Sequence, residues 1–387
     1  MKKIFIITLL AILSCSAFSQ EVISEILYGG KLLRKCHRDV THLTVLGKID
    51  ARTFKFIRDS LPDLTYLNLS KTRIVSYKVK EKRTNWGEVF INTIHYKANE
   101  LPDVAFYSPP WDVGNRYLKK VILPKSLVAI GIAAFAEVLI DSIVIPPGVK
   151  HIGDRAFSGC DKLVFIKLPE NIESIGEEAF FGCFSLTSME LHDAIEKIGY
   201  NTFGRCSNLI SIKLPKSLKS IESRAFEFCT SLISVELPDY IEIIKDRTFN
   251  GCSKLTSIKL PESLKKIESL AFMDCHALTS IELPEGVEVI GDGAFVDCRA
   301  LTSIELPSSV KTIGRHVFSP YLNKISVYWQ EPWLIQVSPD AFGGNIGTTI
   351  LEVPFGTKTE YWNLKPWSDF MLAGDNIEER EQNNENK

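Results

Sequence analysis

The sequence has almost no net charge: across 387 residues, 45 Lys plus Arg face 47 Asp plus Glu, a balance of -2. No global field exists to recruit phosphate backbones or anionic lipid, so nucleic acid is not expected as a partner. The sequence also lacks any apolar run approaching the ~20 residues of a membrane-spanning helix, which argues against a transmembrane segment. It contains no G-x-S-x-G elbow, no Gly-rich phosphate loop and no calcium-loop signature. Its seven histidines, at 37, 42, 95, 151, 192, 276 and 316, include no H-x-x-x-H pair. No catalytic residue, metal ligand or cofactor is therefore predicted, although a triad assembled from distant residues would leave no such motif.

What is present is the composition of a folded protein, with 45% hydrophobic and 24% charged residues. The first residues have the order of a bacterial export signal: Lys2 and Lys3, an apolar stretch from Ile4 to Leu13, then Ala17, Phe18 and Ser19. Residues 1–19 are read as this leader. Cleavage before Gln20 competes with lipid attachment at Cys15 in the lipobox-like Ile12-Leu13-Ser14-Cys15, and bulky Leu13 favours the former.

Self-similarity organises the rest. Phe recurs at 135, 157, 180, 203, 226, 249, 272, 295, 318 and 342, at intervals of 22 once, 23 seven times and 24 once. Cys recurs in phase at 160, 183, 206, 229, 252, 275 and 298; Pro recurs at 124, 146, 169, 215, 238, 261, 284 and 307, with His192 in the missing place. In the unit from Leu278, the residues Leu278, Ile281 and Leu283 alternate with polar ones as a half-buried strand requires. Pro284 ends that strand because it has no amide hydrogen for the ladder. Val287 and Ile290 give a second inward contact, and Gly291 suits a turn. Ala294, Phe295 and Cys298 stand at helical spacing, predicting a short helical or 3₁₀ turn across the back. One coil cannot bury these side chains alone, so the units must stack into a solenoid with a parallel β-sheet on one face and helical turns on the other, an α/β repeat fold.

The unit L-x-x-I-x-L-P, I-x-x-I-G, A-F, C resembles the BspA-type leucine-rich repeat of bacterial surface proteins, from Leu118 to about Phe342. Val353, Pro354, Gly356, Thr357, Tyr361, Trp367 and Phe370 are similar to the segment that ends many such proteins. The expected organisation is a leader (1–19), an amino-terminal cap with irregular coils and an insertion (20–117), the regular array (118–345), a carboxyl-terminal cap (346–373) and a disordered tail (374–387). Within the first cap, Asp50 is expected to cap a helix bearing Phe54, Ile57 and Leu61, and the segment from Arg73 to Tyr117 to form a loop or hairpin. The resemblance implies adhesion to host or matrix proteins, or to other cells.

Candidate contact residues lie where side chains should leave the strands toward solvent. One row reads Lys167, Glu190, Lys213, Glu236, Lys259, Glu282 and Glu305; beside it run Ser188, Ser211, Ser234, Ser257, Ser280 and Ser303. Alternating charge is also what sheet stability alone would select, since stacked opposite charges attract. A rival group is Tyr328, Trp329 and Trp333, rings equally suited to covering the last coil. Seven phased cysteines point the same way at one strand spacing, too far apart for disulfides, and read as buried free thiols. Three functions fit: a protein- or glycan-binding module at the cell surface, an enzyme or glycan-processing accessory with its site in 73–117, and a structural envelope component. The first is favoured because an elongated repeated face offers many contacts to a large partner.

Overall fold

The computed structural model describes residues 21–26, 39–85, 88–107, 117–342 and 346–381. The leader with Cys15, and also Cys36, His37 and Trp86, lie outside the described residues. The chain winds as a solenoid in which nearly every coil lays a short strand parallel to its neighbours along one face. Strands β1 (Glu21–Ile26), β2 (His42–Ile49) and β3 (Tyr66–Ile74) continue in register into Lys120–Ile122, Ser142–Val144 and Phe165–Lys167. Between β2 and β3, helix α1 (Ala51–Ser60) starts where Asp50 accepts a hydrogen bond from the Arg52 amide, and it buries Phe54 and Ile57. The segment after β3 forms an antiparallel hairpin, β4 (Tyr77–Asn85) with β5 (Glu88–Tyr96).

Each regular coil has a second strand that the sequence reading did not separate. Residues such as His151–Ile152 and Ser174–Ile175 pair in parallel, so the second inward contact belongs to a second narrow sheet. Two residues are too few to display a period of two. The turn between the strands is closed by a hydrogen bond from the amide three residues past Pro to the Pro carbonyl, as in Leu218 to Pro215 at 3.2 Å. Ile195 makes the same bond to His192 at 3.0 Å, so the turn tolerates loss of the ring.

The back of each coil is a run of tight turns and not a continuous helix. Ala156, Ser158 and Cys160 donate three residues back, to Gly153, Arg155 and Phe157, at 3.2, 3.0 and 3.1 Å. The intervening Arg155, Phe157 and Gly159 instead donate to Glu177, Ala179 and Phe181 of the next coil at 2.8, 2.8 and 2.7 Å. A helix would use every one of these amides internally and leave none to join the coils. Two left-handed residues per coil, here Arg155 (φ 55°) and Gly159 (φ 69°), break the helical path.

Inside, Phe135 through Phe295 form one column with centroids 5.1–5.6 Å apart and ring planes within 1–7° of parallel. Such spacing between near-parallel rings is the favourable offset stack. The column is longer than the regular Phe series, because Phe106 and Phe54 extend it toward the amino end. At the other end helices α2 (Lys358–Trp362) and α3 (Ser368–Gly374) bring Tyr361, Trp367 and Phe370 over Phe342 and Trp329. The tail expected to be disordered from 374 contains a further strand: Ile377–Glu379 pairs with Ile350–Val353 and buries Ile377. Polar composition hid this element, since one inward Ile suffices when the neighbouring strand supplies the backbone partners.

Candidate functional site

The first sheet exposes two residues per coil, one on either side of the buried central one. Ser188, Ser211, Ser234, Ser257, Ser280 and Ser303 are exposed on one side, and Lys167, Glu190, Lys213, Glu236, Lys259, Glu282 and Glu305 on the other. In-register pairing stacks Ser188 on Ser211 and Glu190 on Lys213, and likewise Ser234 on Ser257 and Glu236 on Lys259. The charges pair within these two-coil units: Lys213 Nζ lies 2.7 Å from Glu190, and Lys259 Nζ 2.6 Å from Glu236. The lysine hydrogen bonds hold both carboxyls below their usual range and raise both ammonium groups. These pairs are solvent-exposed, so they steady the ladder while contributing little to stability. Among the described residues no ion pair reaches Lys167 or Glu282.

A third row lies just before these strands, two residues ahead of each central position. Its amides bond coil to coil, Ile210 to the Thr187 carbonyl, Ile233 to Ile210 and Thr256 to Ile233, at 2.9, 3.2 and 2.9 Å. Ile210 and Ile233 are each 47% exposed and Phe165, in the Ser row, 49%. Sequence reasoning passed over these residues, although aligning the coils would have shown Ile where later coils carry Thr, and Phe where they carry Ser. Farther toward the amino end, His42 and Tyr66 occupy the Ser row in register and stack at 5.5 Å. A trough of about 620 Å³ opens on this face over the later coils. Ser234, Ser257 and Ser280 line it together with Glu236, Lys259 and Glu282.

The predicted aromatic group does not stay together. Trp329 is only 5% exposed and packs on Trp367 at 5.7 Å, so it is a core residue and not a surface contact. Tyr328 is exposed, yet its hydroxyl donates to Glu305 at 2.8 Å and the Arg380 guanidinium lies 3.6 Å above its ring. Trp333 stands exposed in the short 3₁₀ segment Pro332–Leu334.

A second groove, about 460 Å³, lies where the hairpin meets the narrow sheet, and His95, Lys97, Glu100 and Asp103 share it with His151 and Ser174. An acid and a base of the 73–117 segment thus line one groove, as general acid–base chemistry there would need. Their polar atoms serve the scaffold: Asp103 accepts the Ile132 amide at 2.8 Å, and Lys97 lies 3.4 Å from Glu100. Among the described residues no hydrogen bond joins His95 to a carboxylate.

The seven phased cysteines are buried free thiols, each donating to the carbonyl of a column Phe in the preceding coil, as Cys206 does to Phe180 at 3.2 Å. Burial pushes all seven thiols upward, Cys206 and Cys298 to about 12. Such thiols are poor nucleophiles and poor metal ligands.

The coil geometry and the repeat agree with a family model, that of the BspA type leucine rich repeat region, which matches in six copies over residues 128–253 and 220–347. The chain belongs to this family. A leucine-rich repeat protein from Bacteroides ovatus is 24% identical over 82% of this chain and 84% of its own, with a TM-score of 0.45. The Treponema pallidum leucine-rich repeat protein is 34% identical over 39% of this chain and 72% of its own, with a TM-score of 0.38. A leucine rich cell surface protein from Faecalibacterium prausnitzii is 21% identical over 73% of this chain and 88% of its own, with a TM-score of 0.40. No curated protein sequence matches. Among the described residues, no helix of this BspA-type chain is long and apolar enough to cross a membrane.

Proposed function

We propose that this BspA-type chain is a non-catalytic recognition module outside the bacterial cell, binding a protein or glycan through its strand face. The supporting observation is the exposed face itself, where hydroxyl and charge rows border a trough of about 620 Å³. The side chains there are not consumed by the core, and they repeat at one strand spacing along the sheet, so many contacts of one kind can be made at once. The leader at 1–19 accounts for export, and the two caps shield the ends of the array through rings such as Phe54 and Phe106 at one end and Trp367 and Phe370 at the other.

The test is capture of matrix proteins and glycans by the purified chain, compared with the variant Lys213→Glu, Glu236→Lys, Lys259→Glu and Glu282→Lys combined. All four side chains are exposed, so the fold should persist by circular dichroism while partner binding falls. Retained fold with unchanged binding would remove the strand face as the contact surface.

A further inference from the structure

We infer that the strand face recognises a second copy of this chain, the two faces packing about a two-fold axis that runs parallel to the strands between the Lys213 and Glu236 coils. The inference rests on the proposed use of this face and names its partner. A two-fold rotation about that direction turns one face over onto the other, preserves strand direction and reverses the order of the coils. Each exposed row therefore meets itself read backwards, and an isologous contact follows only if every row complements its own reversal.

All three rows do. In the charge row, Lys167 faces Glu282 of the second copy, Glu190 faces its Lys259 and Lys213 faces its Glu236, so each of the six positions meets the opposite sign. An even run of alternating charge has this property; a run of one sign, or an odd run, would set like on like. The two members without an ion pair among the described residues, Lys167 and Glu282, are the two that meet at each end. The paired members also remain available, with Lys213 and Glu190 at 74% and 55% side-chain exposure.

In the hydroxyl row, Ser188 and Ser211 meet Ser257 and Ser234, small side chains that let two sheets approach closely. The one large member, Phe165, faces Ser280 of the second copy, where the trough lined by Ser257 and Ser280 is open to receive a ring. In the third row the exposed Ile210 and Ile233 meet each other beside the axis, adding an apolar pair on the side of the hydroxyl row away from the charges. Six coils at ~4.8 Å make the contact roughly 25–30 Å long, the scale of a small, reversible interface.

Sedimentation velocity of the purified chain over about 1–200 μM tests this, with circular dichroism confirming that each variant is folded. A monomer–dimer equilibrium that weakens with added salt is expected. Lys167→Glu alone and Glu282→Lys alone should each raise the dissociation constant about tenfold or more, because every dimer contains the contact twice. The double variant Lys167→Glu/Glu282→Lys should recover it. Strain with neighbouring charges inside one chain is present in the double variant as in the singles, so only contact across the axis restores binding. Phe165→Ser should also weaken the dimer. A chain monomeric at every concentration, or a dimer that none of these variants moves, overturns the inference. If such a chain still binds a matrix protein or glycan and loses it on the fourfold charge change, self-recognition has failed while the strand-face reading stands. If neither binding is seen, both have failed.

Discussion

Replacing Phe249 by Ala removes one ring from the middle of the column and should lower stability by about 3–5 kcal/mol, the range for deleting a buried aromatic side chain. The upper end is expected, because Phe249 is fully buried between Phe226 and Phe272, with both centroids 5.5 Å away. Its coil cannot settle into the gap: its amide bonds to the Ala271 carbonyl at 2.9 Å, and the Phe226 amide bonds to the Thr248 carbonyl at 3.0 Å. In a solenoid each coil is held by its two neighbours, so the deletion weakens two contacts at once and divides the array. The tryptophans make this visible, since Trp329 and Trp367 lie in the carboxyl-terminal core and the array from 118 to 318 contains none. Urea unfolding followed by circular dichroism reports the array, and tryptophan fluorescence reports the chain on either side of it, through Trp86 and Trp111 before residue 118 and Trp329, Trp333, Trp362 and Trp367 after residue 318. The variant should shift both curves and separate their midpoints. Coincident curves with a loss below about 1 kcal/mol would mean the column does not carry the fold.

Gly251 has φ +72°, and a Cβ there would lie 2.4 Å from the Phe228 ring. Gly251→Ala should therefore cost about 1–2 kcal/mol from the backbone alone, and adding Phe228→Ala should relieve only the steric part, measured by thermal unfolding. The buried thiols predict alkaline sensitivity. Their folded pKa values lie above the ordinary 9.0, two of them at about 12, so above pH 9 the unfolded chain binds fewer protons than the folded one and stability falls as pH rises. Each thiol contributes roughly a tenfold loss in the folding constant per pH unit within that window. Replacing Cys206 and Cys252 by Ala should flatten the decline in urea midpoint between pH 9 and 10.5, and an unchanged slope would refute the linkage.

The repeat was legible because each position recurs in one environment. Phe157 or Cys183 alone says little, whereas a column of equivalents can be satisfied only by stacking. Where recurrence stops, so does legibility. Phe106 joins the column, but the 28 residues between it and Phe135 conceal the phase, whereas β2 and β3 carry the strand pattern of the expected irregular coils and do pair on toward the later ones. Ile377 completes a strand with one buried side chain amid Glu and Asn, too weak a pattern to stand out from a polar tail. The helical spacing of Ala294, Phe295 and Cys298 reports which residues point inward, and a turn that donates alternate amides to the next coil satisfies that spacing as well as a helix does.

The outward rows pose a different problem, because stability and recognition select the same residues there. Glu190 with Lys213 and Glu236 with Lys259 are what a ladder needs to avoid like-charge stacking, and a repeated two-coil unit delivers them without reference to any partner. Repetition of such a unit also makes the row antisymmetric on reversal. Complementarity between two copies can thus arise before any selection for binding, needing only the terminal Lys167 and Glu282 to stay unpaired and a ring such as Phe165 to stand where the trough can admit it. What separates the two origins is the residue with no use to the ladder. Ile210 and Ile233 leave about half of each apolar side chain in water, whereas Thr256 and Thr279 hold the same backbone position as hydroxyl residues. Ile210→Thr/Ile233→Thr should leave the urea midpoint where it is and weaken the contact across the axis. A fall in stability with unchanged association would return these residues, and the face with them, to the scaffold.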